Sequence, residues 1–133
     1  MVILFRNVVI FSYVLYAAFV FIAFFSAYLY DQKTLDILTW NNYGTIIQLS
    51  HVFGYLFFFA YTVIFLGLIY FKSWARTAFV ILTLLSVILT GIQGIEILPA
   101  IEGLLSYLMN LSDGAIIALM YFTSISSKFS NNA

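Results

Sequence analysis

An all-α integral membrane bundle of four transmembrane helices, with both termini cytoplasmic, is the fold that this 133-residue sequence predicts. Three observations predict it. Hydrophobic residues make up 65% of the chain and charged residues 8%, with a mean hydropathy of +1.11, whereas about a quarter of a soluble domain is charged. Four apolar runs, about Val8–Tyr30, Thr45–Phe71, Thr77–Leu98 and Gly103–Ser124, approach or exceed the roughly 20 residues that a helix needs to cross a bilayer. Arg6, Lys72, Arg76 and Lys128 fall on the side holding both ends and the middle turn, and only Lys33 falls opposite. Bases concentrate on the cytoplasmic side, so that side is inside.

The first run is longer than the 7–15 apolar residues of a signal-peptide core and is followed by no small-residue cleavage site, which makes it a retained helix. Asp31 to Tyr43 is the only sizeable polar loop, and Leu35-Asp36-Ile37-Leu38 with Trp40 suits a short segment resting on headgroups. Lys72-Ser73-Trp74-Ala75-Arg76 is so short that the second and third helices must form an antiparallel hairpin. Pro99 is expected to end the third helix, since it lacks an N–H and disfavours helical geometry at Leu98. Ser130-Asn131-Asn132-Ala133 is a polar tail. No polar stretch is long enough to fold separately, so residues 1–133 are expected to form a single transmembrane domain.

Five basic and five acidic residues cancel, so no basic surface argues for nucleic acid. The absence of cysteine removes disulfides, thiolate ligands and thiol nucleophiles together. Short loops leave no soluble catalytic surface, and no enzyme activity, cofactor or soluble small-molecule substrate is expected. The partners expected are membrane lipid and another membrane protein, or a second copy of the chain.

The polar residues inside the helices set out a candidate site. Asp113, in Asn110-Leu111-Ser112-Asp113-Gly114-Ala115, is an ionisable group in a segment fit for lipid, and such groups face a bundle interior or water. Gln48, His51, Tyr55 and Thr62 share one face of the second helix; Ser106, Asn110, Asp113, Ile117, Tyr121 and Ser124 share one face of the fourth. Counting depth at about 1.5 Å per residue places Asp113, His51, Gln48, Gln93 and Asn110 together in the outer half of the bundle, with Ser12 and Tyr16 nearer the cytoplasm. An Asp113–His51 pair would share its protons as a unit and would suit a cation, a proton relay or a polar group on a partner helix. The plainer alternative is interhelical glue that fixes register.

Small residues four apart, Ser86, Thr90 and Gly94 on the third helix and Asn110, Gly114 and Ala118 on the fourth, are expected to let those two helices pack closely. Ser50 and His51 are adjacent and point about 100° apart, which argues against a hydrolytic triad with Asp113. One histidine with one deep acid is too few for a metal site. Glu96 and Glu102 flank Pro99 and read as hydrated helix ends.

At Leu111-Ser112-Asp113-Gly114-Ala115-Ile116-Ile117-Ala118-Leu119, followed by Tyr121-Phe122-Thr123-Ser124, the last third of the chain resembles small four-helix bacterial inner-membrane proteins with an Asp-Gly-Ala motif in the final helix. That resemblance implies the fold and a bacterial cytoplasmic membrane, and brings no assigned activity. In size and layout the chain is also similar to membrane-embedded immunity proteins that protect bacteria against pore-forming toxins. The expected function is intramembrane helix–helix contact, as an accessory subunit or an immunity protein. The alternative is a small oligomeric proton-coupled transporter or channel using Asp113 and His51.

Overall fold

The structure is a computed structural model that describes residues 1–46 and 51–130. It is all-helical, with no strand among the described residues. The helices are α1 (Val2–Ile22), a 3-10 turn at Ala23–Phe25, α2 (Ser26–Leu29), α3 (Gln32–Leu38), α4 (His51–Ile69), α5 (Ser73–Ile92), α6 (Ala100–Phe122) and α7 (Ser126–Ser130). Three helical stretches, Val2–Leu29, Ser73–Ile92 and Ala100–Phe122, are long and apolar enough to cross a membrane, and Phe53–Ile69 of α4 is a shorter apolar stretch.

Each boundary has a local cause. The first helix begins at Val2, six residues before the predicted start, because Ile3, Leu4 and Phe5 extend the apolar run past Arg6. Asp31 caps α3 by accepting a hydrogen bond from the Thr34 amide at 3.0 Å, satisfying one of the amides left over at a helix start. Helix α4 closes in a Schellman motif: Phe71 takes a left-handed φ of 56°, its N–H bonds to the Leu68 carbonyl, and the Lys72 N–H bonds to the Gly67 carbonyl. The turn to α5 is therefore only Tyr70–Lys72, and the two helices form the expected hairpin.

Gly67 has a second task in that hairpin. A Cβ there would stand 2.6 Å from the Ala75 Cβ and 2.9 Å from the Trp74 ring, so its lack of a side chain lets α5 close onto α4.

Pro99 does not end α5. The helix stops at Ile92, and Gly94 turns the chain with a φ of 82°. Residues 93–99 then run non-helically to α6, for which Pro99 serves as the N-cap residue. The non-helical stretch is stabilised by residues 41–46 lying against it. The Asn42 N–H bonds to the Ile95 carbonyl, the Ile95 N–H to the Tyr43 carbonyl and the Ile46 N–H to the Ile92 carbonyl. Asn41 completes the pairing with both ends of its amide, donating to the Ile97 carbonyl at 3.2 Å and accepting from the Ile97 N–H at 2.6 Å. These bonds do for residues 92–97 what a helix would otherwise do for its own backbone. They also draw Thr45 and Ile46 out of the predicted second helix.

One core joins α1, α4, α5, α6 and α7 through Phe5, Val9, Leu68, Phe79, Ile116, Met120 and Phe129, all fully buried. Within it α6 lies along α1, and α4 lies against both α5 and α1, whereas α5 and α6 meet only slightly. The expected α5–α6 packing through small residues is thus replaced by an α1–α6 interface. Thr90, Gly94, Gly114 and Ala118 are exposed, and a Cβ at Gly114 would meet nothing within 4 Å. Ser86 is half-buried and turns inward to the site described next.

Contacts fix which segments share an end of the bundle. At one end Phe5 of α1 packs on Phe71 and Phe129. At the other, Tyr30 donates a hydrogen bond to Glu102 at 3.1 Å, near the paired segments 41–46 and 92–97.

Candidate intramembrane polar site

Hydroxyl groups inside an apolar helix usually bond back to their own backbone. Here Thr62 bonds to the Phe58 carbonyl, Thr90 to Ser86, Ser112 to Leu108 and Ser86 to Thr83. Ser12 departs from this pattern. Its Oγ donates across the bundle to Oδ1 of Asp113 at 2.9 Å, joining α1 to α6. Ser12 is 1% exposed, so the hydroxyl has little access to any competing partner from outside.

The bond borders a cavity of about 120 Å³ lined by side chains from all four long helices. Ser12 and Tyr16 come from α1, Phe57, Tyr61 and Phe65 from α4, Ser86 from α5, and Met109, Asn110 and Asp113 from α6. Tyr16 and Tyr61 meet at 4.7 Å between ring centroids with their planes tilted by 44°, and Phe65 stacks on Tyr61 at 5.9 Å. These rings make the walls apolar while the two phenols, two hydroxyls, one amide and one carboxylate make its polar groups. That combination suits hydrogen-bonding to a small polar group, since apolar walls with few convergent polar atoms characterise binding cavities.

The residues expected to cluster divide among several places. Asp113 and Asn110 line the same cavity. Gln93 is the C-cap residue of α5, at the end of the bundle opposite Phe5, and does not line it; its expected depth rests on a helix running to Leu98, which Gly94 forestalls. His51 begins α4, six residues before Phe57, so its backbone stands about 9 Å along the helix from the nearest α4 residue of the cavity. The His51 side chain and Gln48 lie outside the described residues.

Ser12 lies deeper than a first helix starting at Val8 implies. With α1 starting at Val2, Ser12 is ten residues from its beginning, and Asp113 is nine residues from the end of α6. Both counts run from the same end of the bundle, because Phe5 and Phe129 meet there. The two side chains therefore reach one level. Tyr16 follows one turn later on the same face of α1, and the α4 series Phe57, Tyr61 and Phe65, each four apart, is the matching aromatic stripe.

No protein-family model, curated protein or solved structure matches the chain.

Proposed function

We propose that the chain is a four-span bundle of the bacterial cytoplasmic membrane, with both termini inside, that acts by helix–helix contact within the bilayer. It serves either as an accessory subunit of a larger membrane complex or as an immunity protein against a membrane-active toxin. α4 supplies the fourth crossing, being 19 residues long and lying between α1 and α5. The orientation is supported by the bases: Arg6, Lys72, Arg76 and Lys128 gather at the end where α1 begins and the α4–α5 turn lies.

The observation that carries the reading is the slight contact between α5 and α6, beside which the Asp113 cavity lies. Thr90 follows the cavity residue Ser86 by four on α5, and Gly114 and Ala118 follow the cavity residue Asn110 by four and eight on α6; Thr90, Asn110, Gly114 and Ala118 are all exposed, and small or polar residues of this type let a neighbouring backbone come close in lipid. A partner helix laid there would have Asn110 and Ser86 as hydrogen-bonding groups and Asp113 beneath them. Crosslinking in native membranes followed by affinity recovery tests this. A defined larger membrane partner is expected, and recovery of the chain alone would count against it.

A second reading is favoured by one observation, the placement of a carboxylate in a cavity with a hydroxyl donor and two phenols. On it the chain is an oligomeric proton-coupled transporter or channel using Asp113 and His51. Ion-dependent flux in proteoliposomes that disappears in Asp113→Asn would support it, and wild-type flux no greater than that of empty vesicles would sink it.

A further inference from the structure

The charges are segregated. Arg6, Lys72, Arg76 and Lys128 stand at one end of the bundle; Asp31, Asp36, Glu96 and Glu102 stand with Lys33 at the other. The fifth acid, Asp113, is inside. The basic end therefore contains no Asp or Glu side chain.

Two guanidiniums at that end rest on one aromatic cluster. Phe71 and Phe129 meet at 5.4 Å between centroids, and Phe5 contacts both. Arg6 lies over Phe71 at 5.4 Å and donates its Nε–H to the Ile69 carbonyl at 3.3 Å. Arg76 lies over Tyr121 at 4.9 Å and over Phe129 at 5.9 Å. Its Nη1 reaches the Ser126 hydroxyl only at 3.5 Å, and its Nε is buried without a hydrogen-bond acceptor. A partly buried cation with unmet donors is costly. The aromatic faces offset part of that cost, and an anion at the outer nitrogens would balance the charge and take up the Nη donors, though not the buried Nε.

We propose that this end binds the phosphate of an anionic phospholipid headgroup between Arg6 and Arg76. Guanidinium groups match phosphate oxygens in a two-point geometry that an ammonium cannot reproduce. The missing acids decide the lipid class. A zwitterionic headgroup would bring an ammonium into a region with four bases and no carboxylate side chain, whereas a net-negative headgroup brings only the charge that the site lacks. The height is also right: Tyr70 and Trp74, beside the same turn, are 65% and 50% exposed, as aromatic side chains are at a membrane interface. The five-residue α7 contributes by burying Phe129, which holds the ring under Arg76.

Native mass spectrometry of the full chain released from mixed micelles of phosphatidylglycerol and phosphatidylcholine tests the proposal. At about 1 kcal/mol per base near the surface, two arginines predict a preference for retained phosphatidylglycerol on the order of tenfold or more. Arg6→Gln, at an exposed position, and Arg76→Lys, which keeps the charge but loses the fork, should each reduce that preference. Lys33→Gln at the opposite end should leave it intact. Inorganic phosphate should neither be retained nor displace the lipid. Equal retention of the two lipids, an undiminished preference in both arginine variants, or displacement of the lipid by millimolar phosphate would each overturn the assignment.

Discussion

The Ser12 hydroxyl on α1 donates to the Asp113 carboxylate on α6 at 2.9 Å, across 101 residues of chain. It is a polar clasp on the interface between the two most closely packed helices, and it fixes their relative height as well as their contact. Ser12→Ala should cost about 0.6–2 kcal/mol, the range of interhelical hydrogen bonds in lipid. A double-mutant cycle with Asp113→Asn, followed by unfolding in mixed micelles, measures the coupling. Additive effects would mean that the clasp contributes nothing of its own.

The loop at residues 41–46 should be released by either of two single changes. Asn41→Ala leaves the Ile97 N–H and C=O without their partners, at about 1–3 kcal/mol. Gly94→Ala places a Cβ against the Tyr43 carbonyl and 2.7 Å from the Thr45 nitrogen, at a φ of 82°, adding about 1–3 kcal/mol of backbone strain before any clash. Hydrogen exchange at Asn42, Ile46 and Ile95 amides should accelerate in both variants, with the bilayer-embedded helices unaffected.

Gly67→Ala should loosen the α4–α5 hairpin. The added Cβ would meet the Ala75 Cβ at 2.6 Å, and overpacking of this kind costs about 1–3 kcal/mol. The pair Gly67→Ala with Ala75→Gly removes the closest collision and leaves the one with the Trp74 ring at 2.9 Å, so it should recover part of the loss, which unfolding of the single and double variants reads directly.

Asp31 titrates in the loop, where the hydroxyl and amide of Thr34 hold its carboxyl below the usual carboxylate range. A lowered folded value means that the cap is fully present above the unfolded value of about 3.9 and is lost as pH falls through the lower, folded value. The Thr34 amide resonance should shift on acidification below about pH 4, and the shift should vanish in Asp31→Asn.

Much of the architecture was legible because lipid imposes a blunt rule. Long apolar runs must be helical, and three of the four predicted runs overlap helical stretches long enough to cross; the hairpin at Tyr70–Lys72 follows from its shortness. The ends were less legible because each depends on something outside the run. Gly94, which looked like part of a packing strip, proved to be the helix terminator, since Asn41 and Asn42 supply bonds that release residues 93–99 from helical pairing. At the site, Asp113 and Asn110 were identifiable from polarity at depth. Ser12 was misplaced by the six-residue error in the start of α1, about 9 Å of height. Which helices are neighbours was not encoded in small-residue spacing, because the α1–α6 contact is made by large side chains such as Val9, Ile116 and Met120.

The most direct test of intramembrane contact at the α5–α6 seam exploits the lack of native cysteine. A single cysteine at Gly114, carrying a short photo-crosslinker, should capture one defined membrane partner in native membranes. The same probe at Val14, exposed on α1, should capture lipid alone. Equal, unspecific labelling from the two positions, or capture from Val14 and none from Gly114, would contradict the account.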